Sequence, residues 1–287
     1  NIRLLFCSIL LLSACRPQAL EIELPPITPQ AVVFSQVFPD QLISLVLTNT
    51  LGALDFSEEA GDSLTGSVFN QLMLSGAYAT ISYRDQIDPL IEVAPGVYLS
   101  IETPQYLHET YTLEILTPTG QRLEATSKVL PQASFTEIRP QIKRTANDTL
   151  VSVDFKINDL PGDNWYLLHF YTTRWEDAED DAALDSLFGS EGNFWKKTVL
   201  LEDQIFPAGE VTGTVELPTV QPTDSLYVTL SNVSEPYYRF LEVRKNATNL
   251  FTELTREPVN SPSNVDGGLG FFNMHFPVLE SFDLEKY

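Results

Sequence analysis

The stretch YTLEILTPTGQRLEATSK (residues 111–128) carries the pattern that decides the fold. Its candidate core residues occupy every second position in two runs: Tyr111, Leu113 and Ile115, then Leu123 and Ala125. Successive side chains of a β-strand point to opposite faces, so each run predicts a strand with one buried face. The intervening Pro118-Thr119-Gly120 has the composition of a tight turn. The stretch therefore predicts an antiparallel hairpin.

Similar alternation extends along most of the chain and predicts a mainly β protein. Turn sequences separate short strands over residues 31–133, which predicts an N-terminal sandwich of the immunoglobulin-like or carboxypeptidase-regulatory-like type. Residues 134–276 carry the same pattern and predict a second antiparallel β domain, with residues 277–287 as a C-terminal tail. The expected architecture is two β modules in sequence.

One segment of the second domain has a helical pattern instead. Ser234 can cap a helix start, and Pro236 suits a first turn. The apolar stripe that follows has spacings of three and four: Tyr237, Phe240 and Leu241. Such a stripe marks one buried face of a helix. We predict a helix near residues 235–247 that covers the open face of the second domain's sheet.

The chain opens with a short apolar run in LLFCSILLLSACRPQ (residues 4–18). The run holds about thirteen residues, too few to cross a bilayer as a helix, which needs about twenty. Leu12-Ser13-Ala14-Cys15 resembles a bacterial lipobox, which predicts a signal peptide at residues 1–14 and lipid attachment at Cys15. An ordinary signal peptide with a chance cysteine is the alternative. The proline-containing residues 15–30 are expected to form an extended tether.

The charge balance limits the classes of partner. The chain has 17 Lys and Arg residues against 39 Asp and Glu, a formal net charge of −22 at pH 7. Nucleic-acid binding requires a basic face, so this class is excluded as an expected partner. Adsorption to anionic lipid is disfavoured for the same reason. Acyl chains on Cys15 are therefore the expected membrane contact.

Six stretches in a fixed order resemble a known family. They are GAYATISYRD, PGVY, YTLEILTPTGQRLEATSKVLP, VSVDFKINDLPGDNWYLLHFY, LYVTLSNVSEPYYRFL and SNVDGGLGFFNMH. Together they resemble the lipoproteins grouped as the domain of unknown function 4249 family, across nearly the whole chain after the leader. The resemblance implies an outer-membrane lipoprotein, often encoded beside a TonB-dependent receptor and acting as its accessory subunit. No catalytic residues can be carried over from the family, and we expect no cofactor and no enzymatic activity.

The residues that follow Cys15 bear on which way the body faces. Relatives that reach the cell surface tend to carry acids directly after the acylated cysteine. Here the first acids are Glu21 and Glu23. The exterior is favoured, with the periplasm as the alternative.

A polar insertion in the second domain contains WEDAEDDAALDS (residues 175–186). Asp177, Asp180 and Asp181 are weak candidates for Ca²⁺ binding, because hard cations take carboxylate oxygens. The EF-hand register is absent, which favours a solvated acidic loop. Trp175 and Trp195 flank the insertion and are candidate contacts for a partner or ligand.

The glycine-rich segment NVDGGLGFF (residues 264–272) is the second candidate contact region. Asn264, Asp266, Gly267 and Gly268 are its candidate residues. A nucleotide-binding loop is excluded, since the third glycine of the G-x-G-x-x-G pattern is missing and neither a βαβ pattern nor a helix start accompanies the segment. The competing interpretation is structural: such glycines let a strand turn or pass close to another backbone.

Catalytic signatures are absent from the sequence. The three histidines are scattered, there is no G-x-S-x-G elbow, and carboxylate pairs have no defined separation. The first hypothesis is an accessory or ligand-capturing partner of a TonB-dependent transporter. A structural or adhesive surface lipoprotein is the alternative, and a surface hydrolase is a third.

Overall fold

The computed structural model describes residues 29–39, 42–50, 72–144, 149–172, 195–206, 209–217, 220–221, 224–245 and 262–287. The chain is mainly β, as predicted, and the described residues form four sheets. The sheets pack in pairs as two sandwiches around separate apolar cores. Within the described residues no helix combines the length and apolarity needed to cross a bilayer.

The first sandwich contains two five-stranded sheets. Sheet A comprises β1 (Ala31–Val37), β2 (Ile43–Asn49), β5 (Ile91–Ala94), β6 (Val97–Ser100) and β16 (Leu269–Phe271). Sheet B comprises β3 (Tyr78–Tyr83), β4 (Gln86–Pro89), β7 (Thr110–Leu116), β8 (Arg122–Lys128) and β15 (Val265–Asp266). Their strand orders are β16-β1-β2-β6-β5 and β15-β8-β7-β3-β4. The hairpin predicted for residues 111–128 is the β7–β8 pair.

The inward residues of this hairpin form part of the first core. Tyr111, Leu113 and Ile115 are almost fully buried, together with Leu123 and Ala125 of β8. The polar residues between them point outward, so one face of sheet B is free of the core. This free face carries the site described below.

A segment near the C-terminus completes the first sandwich. The sequence pattern predicts that residues 263–276, here called the closing segment, belong to the C-terminal domain. In the structure β15 pairs with β8 in sheet B, and β16 runs parallel to β1 in sheet A. The closing segment therefore joins both sheets of the first module, although more than 200 residues of chain separate it from β1.

Close backbone approach explains why this segment is rich in glycine. A Cβ on Gly270 would lie 1.9 Å from the Val33 carbonyl oxygen, and one on Gly268 would lie 2.7 Å from that of Ala31. Gly270 also has a φ of +95°, a conformation that side chains rarely adopt. The glycines thus allow the segment to lie directly against β1.

The second sandwich is built from seven strands. Sheet C comprises β9 (Ser134–Arg144), β10 (Thr149–Asn158) and β13 (Glu210–Leu217). Sheet D comprises β11 (Trp165–Thr172), β12 (Trp195–Glu202), β14 (Ser225–Val233) and β17 (Val278–Asp283). Their orders are β13-β10-β9 and β12-β11-β14-β17, and all pairs are antiparallel. Residues 277–287, expected as a tail, supply β17 and a 3-10 helix (Leu284–Lys286) whose Leu284 is buried.

Helix α1 (Glu235–Lys245) lies between the two sandwiches. Ser234 begins it, accepting from the Tyr237 amide at 3.4 Å. Tyr237 and Phe240 are buried against Leu167 and Val233 of sheet D, which confirms the predicted covering role. Their other neighbours, Phe34 and Phe271, belong to sheet A, so α1 is also the apolar contact between the modules.

Polar side chains complete this junction between the modules. The Asn273 amide donates to Ser35 Oγ at 2.8 Å, and Ser35 Oγ donates to the Asn273 carbonyl at 3.3 Å. Asn273 Nδ2 lies 2.9 Å from His275 Nδ1, and the ring of Tyr237 stacks near that imidazole. Burial lowers the pKa of His275 to about 3. The imidazole is therefore neutral near pH 7.

Candidate functional site: a groove on the first sandwich

A groove of about 430 Å³ lies on the outer face of sheet B, beside the closing segment. Its lining side chains come from three strands of the sheet and from the closing segment: Tyr78, Thr80, Glu114, Leu116, Arg122, Glu124 and Asp266. The backbone of Gly267 forms part of the wall. The core residues Ile115 and Leu123 lie beneath it. The groove is thus a surface feature supported by a packed core.

Strand register aligns four of these residues in a row across the sheet. Thr80 lies opposite Glu114, Glu114 opposite Glu124, and Glu124 opposite Asp266. Directly opposed residues of adjacent strands have Cβ atoms about 5 Å apart. Three carboxylates therefore occupy consecutive positions, and we call this set with Thr80 the acidic row.

A second row lies beside the first, at the end of the strands. Tyr78 faces Leu116, and Leu116 faces Arg122. Tyr78 is 65% exposed and Leu116 is 43% exposed, which is high for residues of these types. The groove therefore offers an aromatic ring, an aliphatic side chain and one guanidinium next to three carboxylates.

These charges are not neutralised by one another. In the described part of the chain, no ion pair involves Arg122, Glu114, Glu124 or Asp266. Opposed like charges on adjacent strands destabilise a sheet. The acidic row is therefore an arrangement that folding alone does not favour.

Thr80 is the buried member of the acidic row. It is only 6% exposed, yet its hydroxyl makes no hydrogen bond to any other described residue. The side-chain atoms of the described residues that are both unpaired and sealed from solvent are Trp165 Nε1 and Asn232 Oδ1. The Thr80 hydroxyl is not among them, so it opens into the groove that Thr80 lines.

The closing segment holds one wall of the groove in a fixed position. Asn264 Nδ2 donates to the Thr126 and Phe272 carbonyls at 2.9 and 2.8 Å, and its Oδ1 accepts from the Phe272 amide at 2.9 Å. Gln121 Nε2 donates to the Gly267 carbonyl at 2.6 Å. A Cβ on Gly267 would lie 2.5 Å from the Arg122 carbonyl oxygen. The wall is therefore held by side-chain hydrogen bonds to backbone groups and by the close backbone approach at Gly267.

The structure separates the candidate residues of the closing segment by role. Asp266 and Gly267 line the groove, whereas Asn264 and Gly268 hold the segment against its neighbours. Trp195 begins β12 and pairs with Tyr171 in sheet D, so the structure does not bring it to this groove. Cys15, Trp175 and the candidate Ca²⁺ ligands Asp177, Asp180 and Asp181 lie outside the described residues. Among the residues that are described, no group of three His, Cys, Asp or Glu could hold a metal ion.

Sequence reasoning missed most of the groove. Tyr78, Thr80, Glu114, Arg122 and Glu124 read as ordinary outward positions of amphipathic strands. The alternation does place Glu114 and Glu124 on the outer face. What it lacks is the cross-strand register that sets them opposite each other and adds Asp266 from the far end of the chain.

Comparisons with known proteins place the chain in a family. No curated protein matches it. Two solved structures resemble it weakly. A DUF3823 family protein from Bacteroides ovatus ATCC 8483 is 14% identical, covering 57% of this chain and 83% of the other, with a TM-score of 0.21. A mutant Salmonella alpha-2-macroglobulin is 12% identical, covering 77% of this chain and 15% of the other, with a TM-score of 0.20. The model of the family described as "Domain of unknown function (DUF4249)" matches residues 19–275, so this chain belongs to the DUF4249 family.

Proposed function

We propose that this chain is an outer-membrane lipoprotein, anchored through acyl chains on Cys15, that acts as an accessory or ligand-capturing partner of a TonB-dependent transporter. The lipobox-like sequence at Leu12-Ser13-Ala14-Cys15 supports the anchor. Two acyl chains are enough for stable attachment to a bilayer. The groove supports a binding role, because it is an exposed, preformed and unneutralised surface.

The position of the groove is the observation that carries this proposal. Arg122 and Lys128 lie at opposite ends of β8, and the groove lies at the Arg122 end. The chain enters the first sandwich at the same end, where the Ala31 carbonyl approaches Gly268. The second sandwich joins at the other end, where Asn232 Nδ2 donates to the Pro131 carbonyl at 3.2 Å. A chain anchored at Cys15 would thus present the groove on its membrane-proximal side.

The expected tether length keeps the groove within reach of a membrane partner. Residues 16–30 could extend over at most about 50 Å if fully stretched. A barrel embedded in the same bilayer would then lie beside the groove end of the first sandwich. A binding role also fits the groove better than acid catalysis. Glu114, Glu124 and Asp266 are all exposed, whereas a general acid is usually kept in a desolvated setting.

Purification of the native lipoprotein from membranes in mild detergent tests the proposal. We expect a TonB-dependent receptor to co-purify in constant ratio, and Cys15→Ser to release the body from the membrane fraction. Cys7→Ser is the matched control, since Cys7 lies in the expected leader. Repeated recovery of the lipoprotein alone would contradict the transport role. It would favour the structural or adhesive alternative.

A further inference from the structure

We propose that the groove binds a cationic side chain, a lysine or arginine carried by a segment of the protein partner. The ligand chemistry is inferred from the groove itself. The assignment of the segment to a partner in the membrane rests on the proposed function. Three observations carry the inference: the unneutralised acidic row, the unpaired Thr80 hydroxyl and the apolar pair beside them.

The charge of the groove selects the sign of its ligand. Glu114, Glu124 and Asp266 outnumber Arg122, the one cation of the lining. Glu124 has a carboxylate opposite it on both neighbouring strands, Glu114 of β7 and Asp266 of the closing segment. An ammonium or guanidinium group bound over this row would replace repulsion by charge-assisted hydrogen bonds. An anionic ligand would instead add to the repulsion.

Thr80 supplies a second, independent requirement. The residue is only 6% exposed, its hydroxyl opens into the groove, and that hydroxyl makes no hydrogen bond to any other described residue. A donor held in the groove would therefore find an acceptor already in place. A ligand N–H placed at the Glu114 end of the row would donate to this hydroxyl while it also contacts the Glu114 carboxylate. Multiple donors on one group are a property of ammonium and guanidinium.

The apolar pair distinguishes a side chain from a bare ion. Tyr78 and Leu116 lie opposite each other, beside the acidic row, and both are exposed. Lysine and arginine have aliphatic stems that pack on apolar surface while the charged head stays polar. A cation can also bind over the face of a tyrosine ring. A metal ion would use neither residue, and no metal-holding group exists among the described residues.

The groove needs no rearrangement to accept such a segment. Its wall is fixed by the Asn264 hydrogen bonds and by the contact between Gly267 and the Arg122 carbonyl. Preorganised sites lose less conformational entropy on binding. The structure therefore describes a binding-ready state.

Binding of defined peptides to the full-length lipoprotein in detergent tests the inference. The probes are a capped heptapeptide with lysine at alternate positions, the same peptide with glutamine, and maltose as a neutral saccharide. Amide chemical shifts report the site. We expect the lysine peptide alone to shift resonances of Thr80, Glu114, Glu124 and Asp266, with affinity falling as salt rises. Equal binding of the two peptides, or binding of maltose in their place, would overturn the proposal.

Variants separate the two parts of the inference. The double variant Glu114→Gln/Glu124→Gln should weaken the lysine peptide about tenfold. Thr80→Val should weaken it severalfold without lowering the melting temperature. Glu216→Gln is the matched control, because Glu216 is an exposed acid of the second sandwich and faces Ser152. Unchanged affinity in the double variant would overturn the groove assignment.

The same variants distinguish this inference from the proposed function. If the double variant still co-purifies with a receptor in the native ratio, the groove is not the partner contact and the transport role stands. If the lysine peptide binds at the groove but no receptor co-purifies, the ligand chemistry stands and the transport role fails.

Discussion

The two sandwiches are completed in different ways. In the second, two of the five pairings join consecutive strands, β9 with β10 and β11 with β12, and the other three also join strands that lie within residues 134–283. In the first, the closing segment returns from the far end of the chain to pair with both sheets. The first sandwich therefore depends on a long-range contact, and the same contact builds the wall of its groove.

The free faces of the two modules differ as well. The outer face of sheet D is covered by α1, which packs on Leu167 and Val233. The outer face of sheet B carries the acidic row and stays open. The outer face of sheet D thus serves the assembly of the two modules, whereas that of sheet B stays available for a ligand. If the closing segment causes this difference, changes in that segment should affect the first sandwich and its groove more than matched changes affect the second.

Gly270→Ala should have the largest effect. The new Cβ would lie 1.9 Å from the Val33 carbonyl oxygen, and a backbone atom cannot rotate away. We expect a loss of about 4 kcal/mol or more in the free energy of unfolding, measured by urea denaturation. Limited proteolysis should cut the first sandwich before the second.

Gly162→Ala is the matched control for this experiment. Gly162 has nearly the same φ, +93°, but a Cβ there would meet nothing within 4 Å. It should cost only about 1 kcal/mol, the strain of the positive φ. Equal losses for the two variants would show that close approach to β1 is not what makes the closing segment critical.

Asn264→Ala should have the next largest effect. The change removes three hydrogen bonds that clip the closing segment to β8 and to itself. We expect a loss of about 2–3 kcal/mol in the free energy of unfolding, since backbone groups of the segment would lose partners. The groove wall should loosen with it, so binding of the lysine peptide should weaken too.

Asn164→Ala makes the same change in the second sandwich. Asn164 Nδ2 donates to the Leu160 and Gly162 carbonyls, both at 2.8 Å, and to Asp203 Oδ2 at 3.2 Å. Its Oδ1 accepts from Asn232 Nδ2 at 3.4 Å, so all of these partners lie in the second sandwich. Its loss should lower stability and leave peptide binding unchanged. If Asn164→Ala weakens peptide binding as much as Asn264→Ala does, the groove does not depend on the closing segment.

Local pattern was enough to predict most strands and the helix. The β7–β8 hairpin forms where Tyr111, Leu113 and Ile115 alternate, and the Thr117 amide donates to the Gln121 carbonyl at the turn. Helix α1 begins after Ser234 as its composition predicts. Both features depend on residues within a few positions of one another, so a single sequence contains the information.

The pairing of the closing segment depends on residues that are far apart. Phe34 pairs with Phe271 in a parallel ladder between β1 and β16. The alternation within each strand does not indicate which other strand it pairs with. The glycine-rich composition did indicate close approach to another backbone, but it could not name Val33 as the neighbour. For the same reason the acidic row was invisible, because Glu124 and Asp266 are opposed only once this pairing is known.

Acidification should weaken the junction where the two sandwiches meet. An amide nitrogen can only donate, so His275 Nδ1 accepts from Asn273 Nδ2 and carries no proton. Burial lowers the pKa of His275 to about 3, below its unfolded value of about 6.5. Between these values the unfolded chain binds the extra proton. The contribution of neutral His275 to the free energy of unfolding is therefore fully present above pH 6.5. It is lost as the pH falls toward 3, by about 1.4 kcal/mol per pH unit.

His275→Gln isolates this contribution, because a glutamine oxygen can still accept from Asn273 but does not titrate. Urea denaturation between pH 4 and pH 6 should show a smaller pH slope for the variant than for the native protein, by about 1.4 kcal/mol per pH unit. The carboxylates and His169, whose pKa burial also lowers to about 3, contribute to both proteins and cancel in the comparison. Identical slopes would mean that His275 is protonated in the folded state, and that the junction is open to water.

Glu124→Gln should have the smallest effect, and its sign is the informative part. Glu124 is the middle carboxylate of the acidic row, opposed by Glu114 on one side and Asp266 on the other. Removing its charge should raise the free energy of unfolding by about 0.5 kcal/mol at low salt. The gain should shrink in 1 M salt, where charges are screened beyond about 3 Å.

Glu216→Gln in the second sandwich, where the opposed residue is Ser152, should give no gain. A loss of stability in Glu124→Gln would show that the row is already neutralised, and the open face of the first sandwich would then lack the charge that distinguishes it from the second.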